Sequence, residues 1–160
     1  KGKIQHAVIF DPVRDEMFTA TRGRGAFLNN QRIRISDQKT LDNSMLATGF
    51  PYYDFSYLDA YMNSLKAFIT STAGVRRAGS AALDLAYVAC GRVDGYWEFN
   101  LKPWDIAAGT LLVQEAGGLA TDFKGGDNFL ESGNIMAANP KLFKEMAQTL
   151  AKTVPSELRT

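Results

Sequence analysis

Around residues 36–43 the spacing of apolar side chains changes character, and this divides the chain into two unlike parts. Before the change come short runs rich in β-branched and aromatic residues, separated by turn residues. Ile4–Phe10 reads as a strand, Asp11-Pro12 ends it, and Glu16–Thr21 returns. Arg22-Gly23-Arg24-Gly25 forms a turn. Ala26–Leu28 and Arg32–Ile35 then flank Asn29-Asn30, a pair that tolerates left-handed backbone angles. Antiparallel strands are expected throughout.

After the change, helical and strand-like stretches alternate. Met45–Phe50 is a short apolar strand stopped by Pro51. Tyr57, Tyr61, Leu65 and Phe68 recur at helical spacing, and Val75–Arg77 reads as extended. Ser80 is an N-cap residue for a helix from Ala81 to Cys90, closed by Gly91. Val93–Phe99 is a strand, and Trp104 or Asp105 opens a helix through Ala116. Leu119–Asp122 and Ile135–Ala138 are strands. Asn139-Pro140 starts a last helix carrying Leu142, Phe143, Met146 and Leu150. Residues 153–160 read as a loose tail. A layered α/β fold follows from this order.

Composition excludes several functional classes. Eighteen basic and 17 acidic side chains give a net charge of +1, so overall charge offers no basis for nucleic-acid binding. Cys90 is the single cysteine and His6 the single histidine, which rules out an intrachain disulfide, a thiolate zinc site and a multi-imidazole site. A reducing, cytoplasmic compartment is expected. There is no apolar run of membrane-spanning length, so no membrane is expected among the partners.

The residues that could carry chemistry are few. Asp105 stands at a helix start, where the dipole favours an ionised carboxylate that could ligate a hard metal ion or simply cap the helix. Glu98, near a strand end seven residues earlier, is either a crevice residue or a solvated edge carboxylate. Gly79, Ser80 and Ala81 begin a helix whose free N–H groups could hold a phosphate or a sugar hydroxyl. Arg76, Arg77, Arg22 and Arg24 could meet phosphate, a protein partner, or water alone. Asp84 could face solvent or pair with an arginine inside.

Together these motifs resemble the inositol monophosphatase family. Trp104-Asp105-Ile106-Ala107-Ala108-Gly109, followed by Glu115-Ala116-Gly117-Gly118, is similar to its C-terminal signature. Gly79–Ala86, Gly91–Glu98, Phe10-Asp11-Pro12 and Gly23–Ala26 match further stretches, and the likeness runs from about residue 4 to about residue 150. A bacterial extragenic-suppressor branch is nearest.

The resemblance implies a layered α/β/α/β/α sugar-phosphatase fold, of which this chain is the C-terminal portion. Residues 1–43 would complete the sheet of an N-terminal α+β domain, and 44–152 would form most of a C-terminal α/β domain. It implies Mg²⁺-dependent, lithium-sensitive hydrolysis of inositol monophosphate, or of fructose 1,6-bisphosphate, a 3′-phosphoadenosine nucleotide or histidinol phosphate. Asp105 would bind catalytic Mg²⁺; Gly79, Ser80, Ala81, Glu98 and Asp105 would line the sugar site. It also implies a homodimer, and the contact is expected in the helical region around residues 55–90. The branch implies contacts with RNA polymerase and Nus factors in ribosomal RNA transcription antitermination.

One departure is plain. The upstream glutamate pair and the Asp-Pro-x-Asp-Gly-Thr motif that supply the family's other metal ligands are absent; Arg14 stands where the second aspartate would be. The chain is therefore read as one piece of an enzyme, completed by a further segment or chain. A first sheet without that partner is expected to expose an apolar face.

Overall fold

The computed structural model describes residues 2–159. Two sheets sandwich a pair of helices, and a second helical pair covers the far side of the larger sheet, giving layers β/α/β/α. These are four of the five layers expected.

The first sheet is antiparallel, in order β1-β2-β3-β4: β1 (His6–Asp11), β2 (Glu16–Thr21), β3 (Gly25–Leu28) and β4 (Gln31–Arg32). Burial along β1 alternates strictly, with Ala7, Ile9 and Asp11 inside and His6, Val8 and Phe10 outside, as a one-sided strand requires. The outer face carries Val8, Phe10 and Met17, which are 61%, 47% and 44% exposed. This is the apolar face anticipated above. Asp11 turns its carboxylate into the loop, where it accepts the N–H groups of Val13 (3.0 Å) and Arg14 (3.2 Å).

The second sheet runs β6-β5-β7-β9-β8: β5 (Met45–Thr48), β6 (Gly74–Arg76), β7 (Gly95–Glu98), β8 (Leu119–Thr121) and β9 (Ile135–Ala138). β6, β5 and β7 are parallel, and β9 and β8 continue antiparallel. Because side chains alternate across a strand, β7 sends Tyr96 to one core and Trp97 to the other.

Helices α2 (Ala81–Ala89) and α3 (Pro103–Glu115) lie between the sheets. In α3, Ile106, Leu111, Leu112 and Val113 are all fully buried. A helix apolar around its circumference suits a position covered on both sides. Glu115 ties its end to the first sheet by accepting the N–H groups of Gly23 and Gly25, both at 2.8 Å. Arg92, just past α2, pairs with Glu16 through two bonds of 2.7 and 2.6 Å.

Helices α1 (Leu58–Ser71) and α5 (Pro140–Thr153) cover the other face. Leu142, Met146 and Leu150 form the buried stripe of α5, and Asn139 caps it at Lys141 and Leu142. Trp97 donates its indole N–H to the Ser64 hydroxyl of α1 at 3.2 Å.

A one-turn helix, α4 (Phe129–Ser132), lies in a stretch for which no element was expected; it buries Phe129 and ends at Gly133. One expectation changes: the segment after Thr153 is not loose. Val154 is buried, a 3₁₀ turn spans Ser156–Leu158, and the Arg159 guanidinium donates to the carbonyls of Ala151 (2.7 Å) and Val154 (2.8 Å). The Phe123 N–H returns to the Arg159 carbonyl at 2.9 Å. Thr160 lies outside the described residues.

Candidate active site

The parallel strands β5 and β7 end side by side, with Thr48 paired to Trp97. Beyond their carboxyl ends lies a crevice of about 250 Å³, the position in which open α/β sheets gather ligands. Its wall is formed by Gly49 and Phe50 after β5, Glu98 at the end of β7, Ser80 at the start of α2, and Asp105 in α3. Arg77 stands at the edge, its guanidinium 5.4 Å from the Phe50 ring centre.

Asp105 is the third residue of α3, not its cap. Pro103 occupies the first position, where a missing N–H costs nothing, and Lys102 is the cap residue. The Asp105 carboxylate reaches back to accept the Lys102 N–H at 3.0 Å. One oxygen is thus held by backbone, and the helix N-terminus favours the negative charge.

Ser80 does cap α2, accepting the Leu83 N–H at 3.4 Å. Gly79 before it has φ +98°, a backbone angle open to glycine and strained for other residues. Gly79, Ser80, Ala81 and Ala82, at the start of α2, all line the crevice.

Glu98 is largely buried and accepts a short hydrogen bond from the Tyr96 hydroxyl. Burial pushes its carboxyl up to about 7; the Tyr96 bond opposes this and the nearby Asp84 charge adds to it. Asp84 is 3% exposed, which settles its position as interior. Burial lifts its carboxyl to about 7 against the pull of Arg77.

A folded-state pKa above the ordinary 3.8 means that the native state binds this proton more tightly than the unfolded chain. Stability therefore falls as pH rises through the window from about 4 to about 7, and stays lower above it. Asp84→Asn removes the buried charge. It is expected to flatten this slope and to raise stability at pH 8 by roughly 2–4 kcal/mol. Urea unfolding at pH 5 and pH 8 measures the effect; an unchanged slope would refute it.

The structure brings Gly79, Ser80, Ala81, Glu98, Asp105 and Arg77 to one crevice. Arg22 and Arg24 lie elsewhere, in the turn held by Glu115, and Arg76 is not part of the wall. Gly49 and Tyr96 were not foreseen. Tyr96 is legible two residues before Glu98, on the same face of one strand. Gly49 is 49 residues away, and its role depends on strand pairing.

Asp105 offers the hard oxygen donor that Mg²⁺ prefers. Among the described residues, however, no group of three or more His, Cys, Asp or Glu side chains could hold a metal ion. Asp105 fits as one ligand of a shared site and does not make a site alone. No helix is long and apolar enough to cross a membrane, among the described residues.

Comparison with known proteins agrees with this geometry. The Nus factor SuhB of Pseudomonas aeruginosa is 54% identical, across 99% of this chain and 59% of its own length. That of Escherichia coli K12 is 50% identical, across 99% and 60%. The crystal structure of the extragenic suppressor protein suhB from Bartonella henselae superposes with a TM-score of 0.92 at 45% identity, covering 96% of this chain and 58% of that one. Inositol monophosphatase from Anabaena (Nostoc) sp. PCC 7120 gives 0.91 at 42%, covering 98% and 63%. The chain thus spans about three-fifths of the curated relatives it matches. Residues 1–157 match the profile described as "Inositol monophosphatase family". With the sugar-phosphatase layering and the crevice at its strand ends, the chain belongs to the inositol monophosphatase family.

Proposed function

We propose that the intact protein is a Mg²⁺-dependent phosphomonoesterase acting on inositol monophosphate or a similar sugar phosphate. The observation that carries this reading is the convergence of Asp105, Glu98 and the start of α2 on one crevice. Asp105 would hold Mg²⁺ as one of several ligands, the others coming from outside this chain. When bound, the metal supplies an activated water and charge stabilisation for phosphate-ester hydrolysis. The chain's own residues would bind and orient substrate. N–H groups at Ser80 and Ala81 would meet phosphate or hydroxyl oxygens, and Glu98 would accept from sugar hydroxyls. Phosphate release from inositol 1-phosphate by the intact protein is the test. Release with added Mg²⁺ and none after chelation is expected; metal-independent release would overturn the reading.

A second reading rests on a separate observation. The relatives at 50–54% identity are named Nus factors. We propose that the intact protein also contacts the transcription machinery in antitermination. Co-purification of RNA polymerase or Nus proteins with the tagged intact protein is expected. Their absence from a crosslinked sample would count against it.

A further inference from the structure

We infer that Tyr96 and Gly49 are positioning residues that fix the Glu98 carboxylate on the crevice wall, where it recognises the hydroxyl groups of a polyol phosphate. This rests on the proposed sugar-phosphate reading.

Three observations carry it. Tyr96 and Glu98 are two residues apart on β7, so their side chains leave the same face. Tyr96 is fully buried, and among the described residues its hydroxyl bonds only to Glu98 Oε2. Phenylalanine would fill the same apolar space; the hydroxyl is explained by the carboxylate it holds. Burying a hydroxyl without a partner would be costly, so the pair is mutually dependent.

Gly49 supplies the third. It follows the Thr48–Trp97 pair, which places it beside Glu98. A Cβ built on Gly49 would fall on the Glu98 carboxylate itself. Its backbone does not have the positive φ that would call for glycine. Glycine here makes room: the carboxylate lies over the backbone of residue 49, in space any side chain would take. Glu98 and Gly49 line the crevice, while Tyr96 stands behind them. One residue thus opens the space and the other pins the acceptor within it.

The test uses the intact protein with saturating Mg²⁺ and two substrates: inositol 1-phosphate, and 4-nitrophenyl phosphate, which lacks sugar hydroxyls. Tyr96→Phe is expected to raise KM for inositol 1-phosphate on the order of tenfold, as for loss of a hydrogen bond to a charged group. KM for 4-nitrophenyl phosphate and kcat for both should hold. Gly49→Ala should act in the same direction, and neither change should add to Glu98→Gln. An unchanged KM, or an equal loss on both substrates, overturns the inference.

Crystal structures of the two variants give an independent readout. The Glu98 carboxylate should leave its place over residue 49; an unmoved carboxylate in both overturns the inference. If the unmodified protein shows no preference for inositol 1-phosphate, the functional reading fails, and these structures still decide whether Tyr96 and Gly49 position Glu98.

Discussion

Asp105→Asn in the intact protein is expected to cut Mg²⁺-dependent phosphate release by at least about 100-fold while leaving the fold in place. Asparagine retains a side-chain oxygen that can accept the Lys102 N–H, now made at 3.0 Å, so the first turn of α3 keeps its support. What disappears is the negative charge. Mg²⁺ binds through hard, charged oxygens and tolerates little departure from its preferred geometry. Loss of a partner that merely supports a metal ligand already costs roughly 10–100-fold, so loss of a ligand's charge should cost more. Phosphate release measured against Mg²⁺ concentration, beside the thermal midpoint, separates the two effects. Activity above half that of the unmodified protein would remove Asp105 from the metal site.

Gly109→Leu should do the reverse, destabilising the fold without touching the crevice wall. A Cβ on Gly109 would stand 2.5 Å from the Leu85 Cβ and 2.6 Å from its Cδ1, inside van der Waals contact. Gly109 therefore sets how closely α3 approaches α2. Neither helix can retreat readily, because both are covered by a sheet on each side. Overpacking of this kind costs about 3 kcal/mol. For a protein of this size or larger, that is a drop of about 6–12 °C in Tm. Circular dichroism on heating measures it, and a Tm within 2 °C of the unmodified protein would mean that the helices separate freely.

These two positions lie four residues apart in one motif, and they show which parts of the site can be read along the chain. Asp105 was legible because helix starts have local chemistry: proline, an acidic first turn and the break after β7 all lie within a few residues. Its placement as third residue rather than cap followed from Pro103, whose preference for the first turn sets the register. Ser80 was legible for the same reason, as a hydroxyl cap before an apolar helix. The resemblance to the family named the crevice residues, and the structure placed them together.

Asp84 was not legible. Spacing leaves a carboxylate in the first turn of α2 free to face solvent or to lie inside, and only the packing of α2 between two sheets makes it interior. The docked end of the chain was missed for a similar reason. Polar residues after a helix look free, but Arg159 turns back onto the carbonyls of Ala151 and Val154.

The sequence by itself determined the order of the strands and of the four longer helices, the caps of α2 and α5, and the acidic residue in the first turn of α3. These depend on interactions within about four residues, where side-chain type and spacing suffice. The tertiary structure alone decided that Gly49 lies beneath Glu98, that α3 is enclosed on both sides, and that Asp84 is buried. Each depends on strand pairing or layer stacking between distant segments, and no local pattern encodes which two segments will meet.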